Sequence, residues 1–264
     1  MSGAVLAVKL LASPLLIGLA SIGGRRWGPN VAGLLGGLPL VGGPVIAALW
    51  MQGGPALAQQ VALAAPAGLW ANMVYFLVVG YTSARLRWWA AIPLGWCCYL
   101  LAALAVSATG LAYSLPAGLA VIPGLWLTAT RALPQPRVAA TRVHLPRAEL
   151  YARMAAAALM VATLSSAAML IGPGLTGVLS GAPVAAVVIP AFTFAKAGRD
   201  ALLHALRGFL TGLTGYAAFC LVLGHGAVAP GAWVWLPALA AAVLFGLTAT
   251  HWSRPVFDLV EEDL

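Results

Sequence analysis

Apolar residues fill most of the chain in stretches of about 20, interrupted by short clusters of Gly, Pro, Arg or Gln. Such stretches match the hydrocarbon thickness of a bilayer, and they lack the strict alternation of barrel strands, so the pattern predicts membrane-spanning helices. Spans are expected at about 4–24, 30–51, 57–82, 88–107, 111–130, 149–171, 174–195, 201–224 and 232–252, about nine in all. One longer polar connection, RALPQPRVAATRVHLPR at 131–147, carries three prolines and four arginines and divides the chain in two. The predicted organisation is a four-helix repeat at 1–108, a linking helix and basic loop at 109–147, a second four-helix repeat at 148–253, and an acidic tail at 254–264.

The two halves repeat one phrase. GPNVAGLLGGLP at 28–39 returns as GPGLTGVLSGAP at 172–183, and one ungapped shift of about 144 positions also matches Gly68-Leu69 with Gly212-Leu213, Gly80 with Gly224, Trp89 with Trp233 and Pro93 with Pro237. Loop charge adds a second constraint. Arg25 and Arg26 follow span one, Arg85 and Arg87 span three, the basic linker span five, Lys196 and Arg199 span seven, and Arg254 span nine. The positive-inside rule then puts the N-terminus outside and the C-terminus in the cytoplasm. With four spans in each repeat and a fifth between them, the second copy starts from the opposite face, the inverted-topology arrangement of many secondary transporters.

Composition narrows the picture further. The chain is 62% hydrophobic and 8% charged with a mean hydropathy of +0.96, against about a quarter charged residues in soluble domains. The net charge of +8 sits mostly in short loops, as topology signals do, so nucleic acid is not an expected partner. Cys97, Cys98 and Cys220 lie in apolar spans without metal-ligand spacing and read as buried fillers; His144, His225 and His251 have no acidic partners at useful spacing. No metal, cofactor or catalytic constellation is expected. Trp27, Trp50, Trp88, Trp89, Trp233 and Trp252 fall near span ends, where indole rings anchor helices to the interface.

The segments VAGLLGGLPLVGGPVIAAL at 31–49, LTGVLSGAPVAAVVIPAF at 175–192 and AKAGRDALLHAL at 195–206 resemble the GlpM family of small bacterial inner-membrane proteins, each about as long as one repeat. The first half departs from that pattern at QGGPALAQQV, 52–61, which carries no charge. The resemblance implies a helical fold of two GlpM-like copies in a bacterial inner membrane, and it implies no reaction.

Pro39 and Pro183, flanked by Gly37 and Gly181, are expected to break spans two and seven. Opposed half-helix N-termini, each equivalent to about half a positive charge, would favour a carboxylate or phosphate near the midplane. The same glycines equally serve close helix packing, and both readings stay open at this stage. Asp200, His204 and Arg207 form one stripe at the start of span eight. Asp200 could exchange a proton with His204 while Arg207 holds an anion, or the three could be an interfacial cluster with Arg207 snorkelling. Gln59, Gln60 and Asn72 on span three could line the opposite side of one cavity, and an amide such as Asn72 also glues helices together. The expected function is a small secondary transporter or exporter of a small, anionic metabolite, with H+ as the coupling ion and lipid as the surrounding partner. The competing class is a non-transporting assembly factor or lipid-binding scaffold. No enzyme activity is expected, and a homo-oligomer is compatible with the sequence.

Overall fold

A computed structural model describes residues 15, 16, 18, 34, 35, 38–138, 147–183, 185–226 and 231–262. Among these residues the chain is all-helical, without strands. The helices are α1 (Gly42–Thr82), α2 (Trp88–Ala108), α3 (Leu115–Leu127), α4 (Arg147–Ser180), α5 (Ala185–Gly226) and α6 (Trp235–Glu262). A 3-10 turn at Leu111–Tyr113 leads into α3, whose N-cap Ser114 accepts from the Ala117 amide; a π turn at Thr128–Ala132 ends it. Among the described residues four segments are long and apolar enough to cross a membrane: Gly42–Thr82, Trp88–Ala108, Pro190–Gly226 and Ala232–Ser253. The chain therefore reads as an integral membrane protein.

Among the described residues the separate spans read from the sequence do not appear in this form, and span one, at 4–24, lies almost wholly outside those residues. The end of span two, 42–51, and span three lie within the single helix α1, spans seven and eight largely within α4 and α5, and span five shrinks to the short α3 with its π turn. The physical reason is that one glycine can join two helices without a loop. Gly54 (φ 78°, ψ −177°) interrupts α1, Gly172 (φ 78°, ψ 163°) interrupts α4 and Gly198 (φ 81°, ψ −169°) interrupts α5. A side chain is disfavoured at positive φ. Pro55 and Pro173 stand immediately after two of these glycines, where a proline suits a first helical turn and bars the preceding residue from continuing the helix. Gly54 and Gly198 share nearly one backbone conformation and lie about 144 residues apart, the spacing of the sequence repeat.

The long arms 55–82 of α1 and 199–226 of α5 form the centre. In the apolar windows of α1 and α5, 72% and 89% of residues are buried, against 28% in each of α2 and α6. The two arms run antiparallel. Phe76 stacks on Phe209 with ring centroids 6.2 Å apart. Gly80 lies against Leu203, whereas Gly224 lies against Leu63, so positions rise on one arm as they fall on the other. The outward faces of α2, of α6 and of the 3-10 turn Gly231–Val234 before it expose Trp88, Trp89, Leu101, Trp233, Leu236 and Trp252, an apolar coat suited to lipid.

Basic residues gather at one end of this bundle. Arg199 Nε donates to Ser83 Oγ at 3.3 Å, which brings the turn holding Arg85 and Arg87 beside Lys196 and Arg199. The Tyr81 hydroxyl donates to the Ala132 carbonyl at 2.9 Å, which adds Arg131 to the same end.

Close backbone approach between 55–82 and 173–180 requires glycine. A Cβ at Gly68 would overlap the Val178 carbonyl, and one at Gly177 would overlap the Val61 carbonyl. Gly68→Ala should therefore cost about 1–3 kcal/mol through overpacking. Gly43→Ala, whose new Cβ would meet nothing closer than Pro39 at 3.5 Å, should stay within about 0.5 kcal/mol. Thermal unfolding in detergent checks both; equal midpoints for the two variants would contradict the packing described here.

Candidate functional site

Two helix interruptions converge on one side chain. After Ser180 the helix stops, Gly181, Ala182 and Pro183 are non-helical, and α5 begins at Ala185. In the first half residues 38–41 form a bend and turn, and α1 begins at Gly42. Proline explains both, because it cannot donate into a continuing helix. Tyr216, 2% exposed, lies between them: its hydroxyl is 2.9 Å from Ser180 Oγ, its ring borders Gly181, and the phenol occupies the space that a side chain at Gly42 would take. Its neighbour Gly215 borders Leu38.

The polar groups exposed by the second interruption are paired by side chains. Asn72, fully buried, donates from Nδ2 to the Gly181 carbonyl at 2.8 Å and to the Gly68 carbonyl at 3.3 Å. Ser180 Oγ donates to the Gly177 carbonyl at 2.7 Å, which spends its only proton and makes Tyr216 the donor in the contact between the two hydroxyls. Tyr99 contributes a long bond of 3.5 Å from its hydroxyl to the Val178 carbonyl. One acceptor in this cluster, Asn72 Oδ1, is buried without a hydrogen-bond partner among the described residues. A buried unsatisfied polar atom costs about 1–3 kcal/mol, so it asks for a donor.

The residues expected from the sequence divide between this centre and other places. Asn72, Gly181 and Pro183 are at the second interruption, all buried; Pro39 is half-buried at the first, and Gly37 lies outside the described residues. The donors for an anion at the first interruption are mostly spent: the Gly43 amide bonds the Pro39 carbonyl, the Val45 amide bonds the Val41 carbonyl, and Pro44 has no N–H. Gln59 is half-buried and Gln60 exposed, near the end of the arm 55–82 opposite the basic turn at Arg85 and Arg87. Cys97 is exposed rather than a buried filler, Cys98 is half-buried and Cys220 is buried. Among the described residues no group of His, Cys, Asp or Glu is arranged to hold a metal.

The Asp200, His204 and Arg207 stripe is organised around the linker. Arg207, 2% exposed, donates through Nη2 to the Leu133 and Pro134 carbonyls and to Gln135 Oε1, each at 3.2 Å. Those carbonyls follow the end of α3 and its π turn, where the helix dipole supplies negative partial charge to a guanidinium. His204 Nε2 lies 2.9 Å from the Val138 carbonyl, and Asp200 is half-buried one turn before it. Arg207 and His204 thus hold the segment 133–138 across the crevice between the two central arms, where Leu133 and Leu203 both border Gly80.

Tyr216 and Ser180 are functional candidates that the sequence reading passed over. The repeat contained the signal, because Tyr216 occupies the position equivalent to Asn72. No family model, curated protein or solved structure matches the chain.

Arg207→Gln should free the linker. Trypsin cleavage at exposed Arg137 should accelerate about tenfold, in line with losing several charge-assisted hydrogen bonds, and Arg207→Lys should fall between. An unchanged cleavage rate in Arg207→Gln would mean that the linker is held by other contacts.

Proposed function

We propose that this protein is a small secondary transporter built from two inverted copies of one four-helix unit, with its solute site where the two interruptions meet at Tyr216, Ser180 and Asn72. The carrying observation is that equivalent arms of the two halves, 55–82 and 199–226, run antiparallel, and that both interruptions border the Gly215–Tyr216 pair. Antiparallel equivalents are what an inverted repeat requires; copies inserted in the same direction would run parallel. The equal spacing and conformation of Gly54 and Gly198 support the same reading. So does the gathering of basic residues at one end, which under the positive-inside rule is the cytoplasmic end and leaves the N-terminus outside.

In this reading the two GlpM-like bundles rock against each other around Tyr216, and a bacterial inner membrane is the setting. The solute is small, and the group it presents to Asn72 Oδ1 is a hydrogen-bond donor, such as a hydroxyl or ammonium. Anion binding at the first interruption draws no support from the spent amides there. Asp200 stays the candidate for proton coupling.

The test is flux of a metabolite panel into proteoliposomes, with and without a proton gradient. Asn72→Leu and Tyr216→Phe should each lower transport of an accepted solute at least tenfold while the fold persists, and Gln60→Ala should leave it unchanged. Equal flux in all four proteins would remove the proposed site, and no flux of any compound would favour the scaffold reading.

A further inference from the structure

Positive charge outruns negative at the basic end of the bundle, around the Gly198 joint. Arg85, Arg87, Arg131 and Lys196 are exposed there and Arg199 is half-buried, whereas Asp200 is the one carboxylate among the described side chains. One carboxylate does not offset five cations, so this surface attracts anionic charge from outside the chain.

Arg199 is held in place. Its Nε donates to Ser83 Oγ at 3.3 Å, and this bond ties the start of the arm 199–226 to the turn that carries Arg85 and Arg87. Arg85 is two residues from Ser83 and Lys196 three from Arg199, so even an extended chain keeps them within about 7 Å and about 11 Å of those anchors. Their long side chains cover the remainder, which puts Arg85, Lys196 and Arg199 within reach of one group. With its Nε committed, Arg199 still offers the donors of both Nη atoms to a phosphate. Lys196 precedes the joint and Arg199 follows it. Gly198 turns the chain at φ 81°, and a Cβ there would meet nothing within 4 Å, so no packed side chain braces the joint.

The level of the patch in the membrane identifies the anion. Arg87 is followed directly by Trp88 and Trp89, 45% and 60% exposed, and Tyr81, 59% exposed, stands four residues before Arg85. Exposed indoles and phenols mark the headgroup level, where the fixed anions are phospholipid phosphates, and basic pockets between membrane helices bind such headgroups.

We infer that Arg85, Lys196 and Arg199 form a headgroup site for one anionic phospholipid, whose phosphate straddles the Gly198 joint and ties both segments of α5 to the turn after α1. The inference does not depend on transport. A scaffold with this surface would bind the same lipid.

The experiment titrates the full-length protein in neutral detergent with phosphatidylglycerol, or with phosphatidylcholine of the same chains, and counts bound lipids by native mass spectrometry. One phosphatidylglycerol should bind about tenfold more tightly than phosphatidylcholine. Arg85→Gln and Lys196→Gln, both at exposed positions, should each weaken that binding about fivefold, the effect of one interfacial cation, and Lys196→Arg should retain it. Amide exchange over 195–201 should slow when phosphatidylglycerol is bound. Four results would overturn the proposal: equal binding of the two lipids, a loss in Arg137→Gln as large as in Lys196→Gln, displacement of phosphatidylglycerol by soluble glycerol phosphate, or exchange over 195–201 unchanged by the lipid. Arg137→Gln removes an exposed linker cation outside the site, so it separates a built site from net charge alone.

Discussion

Backbone polar groups inside hydrocarbon have no water to turn to, and every place where this chain stops being helical within the membrane must answer that constraint. The answers are specific side chains and carbonyls. Asn72 takes the Gly181 carbonyl, Ser180 takes that of Gly177, Thr176 takes that of Gly172 at 2.7 Å, and the Pro39 carbonyl receives the Gly43 amide. Each bond lets a helix break inside a packed core, where an uncapped break would leave its carbonyls unpaired. The glycines complete the arrangement, since only residues without a Cβ let 55–82 and 173–180 approach until backbone touches backbone.

The same constraint explains the buried Arg207. A guanidinium deep in an apolar bundle is expensive unless its donors are engaged, and the carbonyls released where α3 ends are unpaired acceptors of the matching sign. The pairing engages Nη2 of the guanidinium and ties the segment 133–138 to the crevice between the central arms. In the proposed transport cycle that crevice is a boundary between the moving halves, so a linker pinned across it couples their motion to its own release.

Much of the architecture was legible in the sequence. Hydropathy gave the membrane setting, the repeated glycine-proline phrase marked the interruptions at 38–41 and 181–183, and tryptophans 88, 89, 233 and 252 are exposed as expected of anchors. The breaks at Gly54 and Gly198 were marked in the sequence by Gln52, Pro55, Lys196 and Arg199, but hydropathy could not tell a loop between two spans from a single positive-φ glycine that joins two helical segments end to end. The site was half legible. Asn72 was visible as a rare amide in an apolar span, but Tyr216 looked like one more aromatic until its contact with both interruptions gave it a place. For Arg207 the charge was visible, but its contacts with the Leu133 and Pro134 carbonyls and with Gln135 Oε1 were not, because main-chain carbonyls carry no signature in the sequence.

The proposed function rests on the two halves being upside down relative to one another, and topology measures this directly. In a protein with its native cysteines replaced, single cysteines at positions 85 and 229, which the repeat makes equivalent, can be labelled in intact cells with a membrane-impermeant thiol reagent applied from outside. The inverted arrangement predicts that position 229 reacts from outside while position 85 reacts only after the membrane is permeabilised. Equal reactivity of both positions from one side would contradict it.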